Sequence, residues 1–118
     1  NRAVAGVTPS HSWSLMLQHV EFLSASADEV RAAHAWYIAR NEAAGAGFLD
    51  DLDDAVWHVA ESPERWPHYL HGTRRYVFRR FPYSLVYRIT PSCIQVVAIV
   101  HGRRRPGYWK DRAEGKLD

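Results

Sequence analysis

The sequence predicts an α+β fold, in which a helical hairpin packs on a mostly antiparallel four-stranded sheet in the order strand, helix, helix, strand, strand, strand. Three observations carry this expectation. Phe48, Leu49, Leu52, Val56 and Val59 recur at helical spacing across residues 47–61. Residues 74–101 form three β-patterned runs, separated by two proline-containing turns. The last of these runs, residues 93–101, is apolar on both faces, as a central strand covered on two sides would be. With 118 residues the chain is one domain's worth, enough to bury a core without disulfides or metals.

In chain order, residues 15–23 alternate loosely, with Val20 and Phe22 on one face and His19 and Glu21 on the other, which predicts a first strand. Ser26-Ala27-Asp28-Glu29 then has the spacing of a capping box, so a helix is expected from Ala27 to about Ala44. Val30, Ala33, Tyr37 and Ile38 form its apolar stripe, and Gly45 and Gly47 are expected to break it. A second helix follows over residues 47–61 and ends at Ser62-Pro63. Its acidic residues Asp50, Asp51, Asp53 and Asp54 are assigned to the solvated outer face. In the run 74–80, Tyr76 and Phe78 oppose Val77 and Arg79. Phe81-Pro82-Tyr83 is a turn, residues 84–90 set Leu85, Tyr87 and Ile89 against Val86 and Arg88, and Thr90-Pro91-Ser92 is a second turn. There are no internal repeats.

Composition narrows the functional class. The single cysteine, Cys93, excludes an internal disulfide framework and reads as a buried, inert thiol, which suits a cytoplasmic setting. No apolar run is long enough to span a membrane. The only methionine is Met16, so residues 1–15 read as an N-terminal extension, 16–112 as the folded domain and 113–118 as a tail. The net charge of +2 hides a division: residues 1–63 carry three basic and nine acidic residues, and residues 64–118 carry twelve basic and four acidic. The second half, at +8, is a candidate surface for an acidic macromolecule.

That charge is concentrated in a basic and aromatic block ending in His101-Gly102-Arg103-Arg104-Arg105-Pro106-Gly107-Tyr108-Trp109-Lys110. Arg103, Arg104 and Arg105 can hold acidic groups through bidentate forks, and Arg75, Arg79 and Arg88 on neighbouring strands can add to the same field. Tyr108 can stack on a partner or pack on the domain; Trp109 after Pro-Gly reads first as a lid on the core. His101 is either a proton carrier or a hydrogen-bonding turn residue, the second reading being preferred. His68 and His71 have no third ligand nearby in sequence, and no spacing suggests a zinc site, so neither metal nor cofactor is expected. Neither a nucleophile elbow nor a glycine-rich phosphate loop is present.

The stretch from Val20 to Trp109 resembles the RelE/ParE superfamily of toxins from type II toxin–antitoxin modules. Val20-Glu21-Phe22, Glu61-Ser62-Pro63 with Trp66-Pro67, Arg75-Tyr76, Phe81-Pro82-Tyr83-Ser84-Leu85-Val86-Tyr87-Arg88-Ile89 and Val97-Ala98-Ile99-Val100-His101-Gly102-Arg103-Arg104 carry the resemblance. It implies a small cytoplasmic toxin of the plasmid-stabilisation type, neutralised by a cognate antitoxin that wraps it with an extended, helix-containing segment. Two mechanisms exist in the superfamily. The ParE-like branch inhibits DNA gyrase by binding, and the Phe81-Pro82-Tyr83 and His101-Gly102-Arg103-Arg104 wording resembles it more. The RelE-like branch cuts mRNA on the ribosome, with lysines, arginines and a tyrosine around the phosphate. Here Arg79, Arg103 and Tyr108 would fill that role, with Arg105 beside them. The lysines are missing, since Lys110 and Lys116 are the only two, and a guanidinium does not give up its proton to act as a base. A third reading is a family member that only binds a partner. Homodimer and toxin–antitoxin hetero-oligomer both remain open.

Overall fold

The computed structural model describes residues 19–115. The extension read at residues 1–15, and the part of the predicted first strand before His19, lie outside the described residues. Strand β1 (Val20–Phe22) leads into helices α1 (Ser24–Arg40) and α2 (Glu42–Glu61). Strands β2 (Arg74–Val77), β3 (Tyr83–Ile89) and β4 (Ile94–His101) follow, and a short helix α3 (Lys110–Ala113) comes last. The sheet order is β1-β4-β3-β2. β1 runs parallel to β4 and the other two pairs are antiparallel. The strand–helix–helix–three-strand order is the one the sequence predicts, and β4 sits between two partners, as its two apolar faces require. Among the described residues, no helix is long and apolar enough to cross a membrane.

The helical hairpin departs from its predicted boundaries. α1 begins two residues before Ser26, so the capping box does not form. The Ser26 hydroxyl instead donates to Leu23 O at 2.7 Å and to Val96 O at 3.0 Å, tying α1 to β4. Gly45 and Gly47 do not separate the helices; both lie inside α2. The separation is a single residue, Asn41, in extended conformation. Its backbone N–H closes α1 on Tyr37 O, and its side chain accepts from the Ala44 N–H to start α2. Gly45 is there for space. A Cβ at that position would lie 2.9 Å from the Cβ of Ile38 and 3.1 Å from its Cα, too close for two helices joined so tightly.

The two helices cover one face of the sheet. Phe48, Leu52, Val56 and Val59 of α2 meet Val20, Phe22, Leu85, Tyr87, Ile94 and Val96 in the main core. The opposite face also has a cover, for which the sequence offers Trp109 as a lid and Tyr108 in one of its two readings. Val86, Val97 and Ala98 pack against Trp109 and Ala113, with Tyr69 and Tyr108 at the margin. The chain after β4 therefore folds back as a second layer, and the Trp109 ring is buried as a lid. A register shift at Val86/Tyr87 leaves Val97 with no opposite residue on β3, and the consecutive residues Val97 and Ala98 both pack on this second face.

Tyr87 is fully buried, and its hydroxyl donates to Pro63 O at 2.5 Å. Burial pushes its pKa up to about 12, slightly opposed by the charge of Arg74. A tyrosine that holds its proton more tightly in the folded state stabilises the fold below its unfolded pKa near 10. That contribution disappears as pH rises from about 10 to about 12. Tyr87→Phe is expected to lose about 1 kcal/mol at pH 7 with the hydrogen bond, and to flatten the fall in stability above pH 10. Urea unfolding at pH 7, 10 and 11.5 reads both; an unchanged alkaline fall in the variant would remove Tyr87 as its source.

Candidate functional site

One carboxylate ties the chain after β4 to α1 and to β4, beside the packing of Trp109 and Ala113. Glu29, on the first turns of α1, accepts from the Ile99 N–H at 3.0 Å, from the Tyr108 hydroxyl at 2.6 Å and from Arg112 Nη1 at 3.0 Å. Arg112 also donates to Val97 O at 3.2 Å. β1 ends opposite Val96, so beyond that point Glu29 and Arg112 supply partners that a longer β1 would have given to β4. Burial, then the hydrogen bond to Glu29 and its negative charge, drive the Tyr108 pKa well above the usual tyrosine value. Arg104 and Arg112 oppose that shift only in part.

This clamp presents the arginine turn. Arg103, Arg104 and Arg105 are all exposed. Among the described residues, none of the three has a carboxylate within ion-pair distance. The Arg104 guanidinium lies 3.9 Å over the Tyr108 ring. His101 shapes the turn: its Nδ1 accepts from the Arg103 N–H at 3.0 Å, and its carbonyl accepts from Arg104 N–H at 2.9 Å. Its ring stands edge-on to Tyr83 with centroids 5.1 Å apart. Beside this turn is a cleft of about 460 Å³ between α1 and the end of β4. Ala33, Trp36 and Tyr37 form its helical wall, and Ile99, His101, Arg103 and Arg104 face them.

The other arginines named from the sequence are not gathered there. Arg88 is half-buried under α3, where Nε donates to Gln95 Oε1 at 2.6 Å and Nη1 donates to Ala113 O. The Arg75 guanidinium stacks 4.3 Å over Tyr69. Arg79 lies beyond β2, in the bend before β3 and not on a strand face, 3.6 Å from Asp54. Trp109 has no exposed surface to offer.

That bend also corrects the reading of the acidic face of α2. Asp51 is 2% exposed, and one of its oxygens accepts both the Arg80 N–H at 2.9 Å and the Phe81 N–H at 2.8 Å. It caps the turn that carries Arg79 and Arg80, and does not face solvent. Sequence reasoning missed both Glu29 and Asp51. Glu29 was assigned to a local cap. For Asp51, the only available signal was its place one turn from buried Phe48 and Ala55.

Residues 20–106 match the family described as the ParE toxin of type II toxin-antitoxin system, parDE. The chain is also similar in structure to a solved chain of the chromosomal ParDE TA system from P. aeruginosa, with a TM-score of 0.62 and 20% sequence identity. That likeness covers 73% of this chain and 96% of the other. None of the curated proteins matches. The family match extends over most of the chain, and the chain belongs to the ParE toxin family of type II toxin–antitoxin systems.

Proposed function

We propose that this ParE-family chain arrests growth by binding DNA gyrase in the cytoplasm, and that a cognate antitoxin encoded with it neutralises it, as in a plasmid-stabilisation module. The Arg103–Arg104–Arg105 turn with Tyr108 is the contact surface, with Arg75 and Arg79 as flanking cations.

The observation that carries this reading is the commitment of Tyr108. A ribonuclease of the RelE type needs a group that moves protons at the 2′-hydroxyl and at the leaving oxygen. Here the Tyr108 hydroxyl already donates to Glu29 and holds its proton far above neutral pH. His101 Nδ1 is occupied by the Arg103 N–H, and the arginines cannot serve as bases. The guanidiniums of Arg103, Arg104 and Arg105, which meet no carboxylate among the described residues, are suited to holding an acidic partner, which requires no proton transfer.

Induced expression is expected to stop growth with a DNA-damage response, and the purified chain is expected to inhibit gyrase supercoiling. Arg103→Ala with Arg105→Ala should weaken gyrase inhibition on the order of 100-fold, about 1.4 kcal/mol for each lost contact. The same pair should change unfolding free energy by less than about 0.5 kcal/mol, since both side chains are exposed. Ribosome-bound mRNA cut within codons, and lost in Tyr108→Phe, would replace this reading with the nuclease one. Gyrase inhibition unaffected by the double change would move the contact elsewhere.

A further inference from the structure

We infer that the cavity where the end of α2 meets β2 binds a single unpaired nucleotide, with its base against His58, Tyr76 and Trp66 and its phosphate on Arg65. This site goes beyond the gyrase reading above and shares no lining residue with the cleft beside the arginine turn.

The first reason is an aromatic wall with polar groups to spare. The cavity has a volume of about 380 Å³, at the small end of the range of about 300–1,000 Å³ that holds organic ligands. The His58 ring lies parallel to Tyr76 with centroids 5.5 Å apart, and Trp66 stands edge-on to Tyr76 at 4.7 Å. The Trp66 Nε1–H donates to His58 O at 3.2 Å and Arg74 donates to Trp66 O at 2.7 Å, so the wall is set before a ligand arrives. His58 Nδ1 is 2.7 Å from Asp54 O, which can only accept, so Nδ1 carries the hydrogen and Nε2 is left as an acceptor. With that hydrogen committed, the buried Tyr76 hydroxyl, 3.4 Å from the same nitrogen, finds no lone pair there to donate to. A buried donor without an acceptor is costly, and a ligand that supplies one relieves the cost. An O–H donor and a nitrogen acceptor side by side complement the donors and acceptors on the edge of a nucleobase, and the rings suit its flat face.

The second reason is the charge on the walls. Arg65 lines the cavity, is exposed, and holds its guanidinium 4.8 Å over the Trp66 ring. Among the described residues it meets no carboxylate within ion-pair distance. Arg75 also lines the cavity, and its guanidinium, stacked on Tyr69, adds to the positive field. The nearest carboxylates in sequence, Glu61 and Glu64, are exposed and do not line the cavity, so water screens them. The Asp54 carboxylate lies 3.6 Å from Arg79. A guanidinium that can stack on a ring and fork onto phosphate oxygens suits a ligand that brings both. An aliphatic acid would meet Arg65 and leave the Tyr76 hydroxyl and His58 Nε2 without partners.

The test titrates the full chain with adenosine 5′-monophosphate, adenosine and a short single-stranded oligoadenylate, and follows the Trp66 indole signal by NMR. The monophosphate should shift that signal saturably. Arg65→Ala should weaken the monophosphate about tenfold and leave adenosine within about twofold, the mark of a phosphate contact. His58→Phe keeps a ring but removes Nε2, and should weaken the monophosphate and adenosine alike. Arg103→Ala with Arg105→Ala, at a separate place, should leave the monophosphate within about twofold of the wild type. Oligoadenylate that binds more than about tenfold tighter than the monophosphate, and loses that lead when annealed to its complement, upholds the site with a nucleic-acid strand as the source. Equal binding upholds it with a free nucleotide as the source. The inference is overturned if none of the three probes shifts the Trp66 signal, or if inorganic phosphate alone reproduces the shift. Equal loss of the monophosphate and adenosine in Arg65→Ala overturns it too, and that comparison decides even where His58→Phe does not fold.

Discussion

Glu29→Ala is expected to destabilise the chain by about 3 kcal/mol and to free the segment that carries the arginine turn. The side chain serves three donors at once, from β4, from Tyr108 and from Arg112. Breaking a buried ion pair by removing one partner costs about 3–5 kcal/mol. Here the lower end applies, because Glu29 and Arg112 side chains are 18% and 16% exposed and water can reach the orphaned groups. Glu29→Gln should lie between, since an amide oxygen still accepts but the charge on which Arg112 depends is gone. Tyr108→Phe should lose only about 1 kcal/mol. The order Ala, Gln, Phe by urea unfolding is the check, with amide exchange at Ile99 as a local readout that should accelerate in the alanine variant. If Glu29→Ala unfolds within about 0.5 kcal/mol of the wild type, the clamp is not what holds the second layer.

Gyrase inhibition should fall in Glu29→Ala although Glu29 is not proposed to touch gyrase. The arginine turn spans only the residues between β4 and Tyr108. Its shape depends on His101 at one end and on the Glu29–Tyr108 hydrogen bond at the other. A loosened turn must be ordered again on binding, and that ordering weakens affinity.

Most of the architecture was legible because its signals are local. The α2 stripe from Phe48 to Val59, the proline turns at Pro82 and Pro91, and the two apolar faces of β4 each announce an element within a few residues. The site was legible in composition but not in arrangement. Arg103, Arg104 and Arg105 stand together in sequence and in space, whereas Arg88, equally visible as a strand arginine, is occupied with Gln95 and Ala113. The errors share a physical cause: a local pattern was outweighed by a partner far along the chain. Ser26 and Glu29 have the spacing of a cap, but the Leu23 N–H is bonded to Val96 O, so the helix starts earlier and both side chains turn to β4. Gly45 and Gly47 look like breakers, yet Gly45 accommodates Ile38 from the other helix. Asn41, a good N-cap residue three before Ala44, was the available signal for the true junction.

The largest of these long-range effects should appear at Asp51. Asp51→Ala is expected to cost about 3–6 kcal/mol, because hydrogen bonds to a charged acceptor contribute about 1.5–3 kcal/mol each and two N–H donors lose theirs. Arg80 N and Phe81 N sit in a bend with few alternatives. The Phe81 carbonyl is taken by the Tyr83 N–H and the Phe78 N–H goes to Tyr83 O. The loss should also reach the core, since the Phe81 ring packs on Tyr37 and Phe48, with centroids 4.9 and 6.0 Å away. Asp51→Asn keeps an acceptor of the same shape and should recover about half of the loss. Asp50→Ala, one residue away on the exposed side of α2, should change stability by less than about 0.5 kcal/mol. Equal effects of the alanine changes at 50 and 51 would mean that Asp51 is a solvated helix residue after all. A selective effect at 51, with faster amide exchange at Arg80 and Phe81, would establish the carboxylate as the cap of the β2–β3 turn.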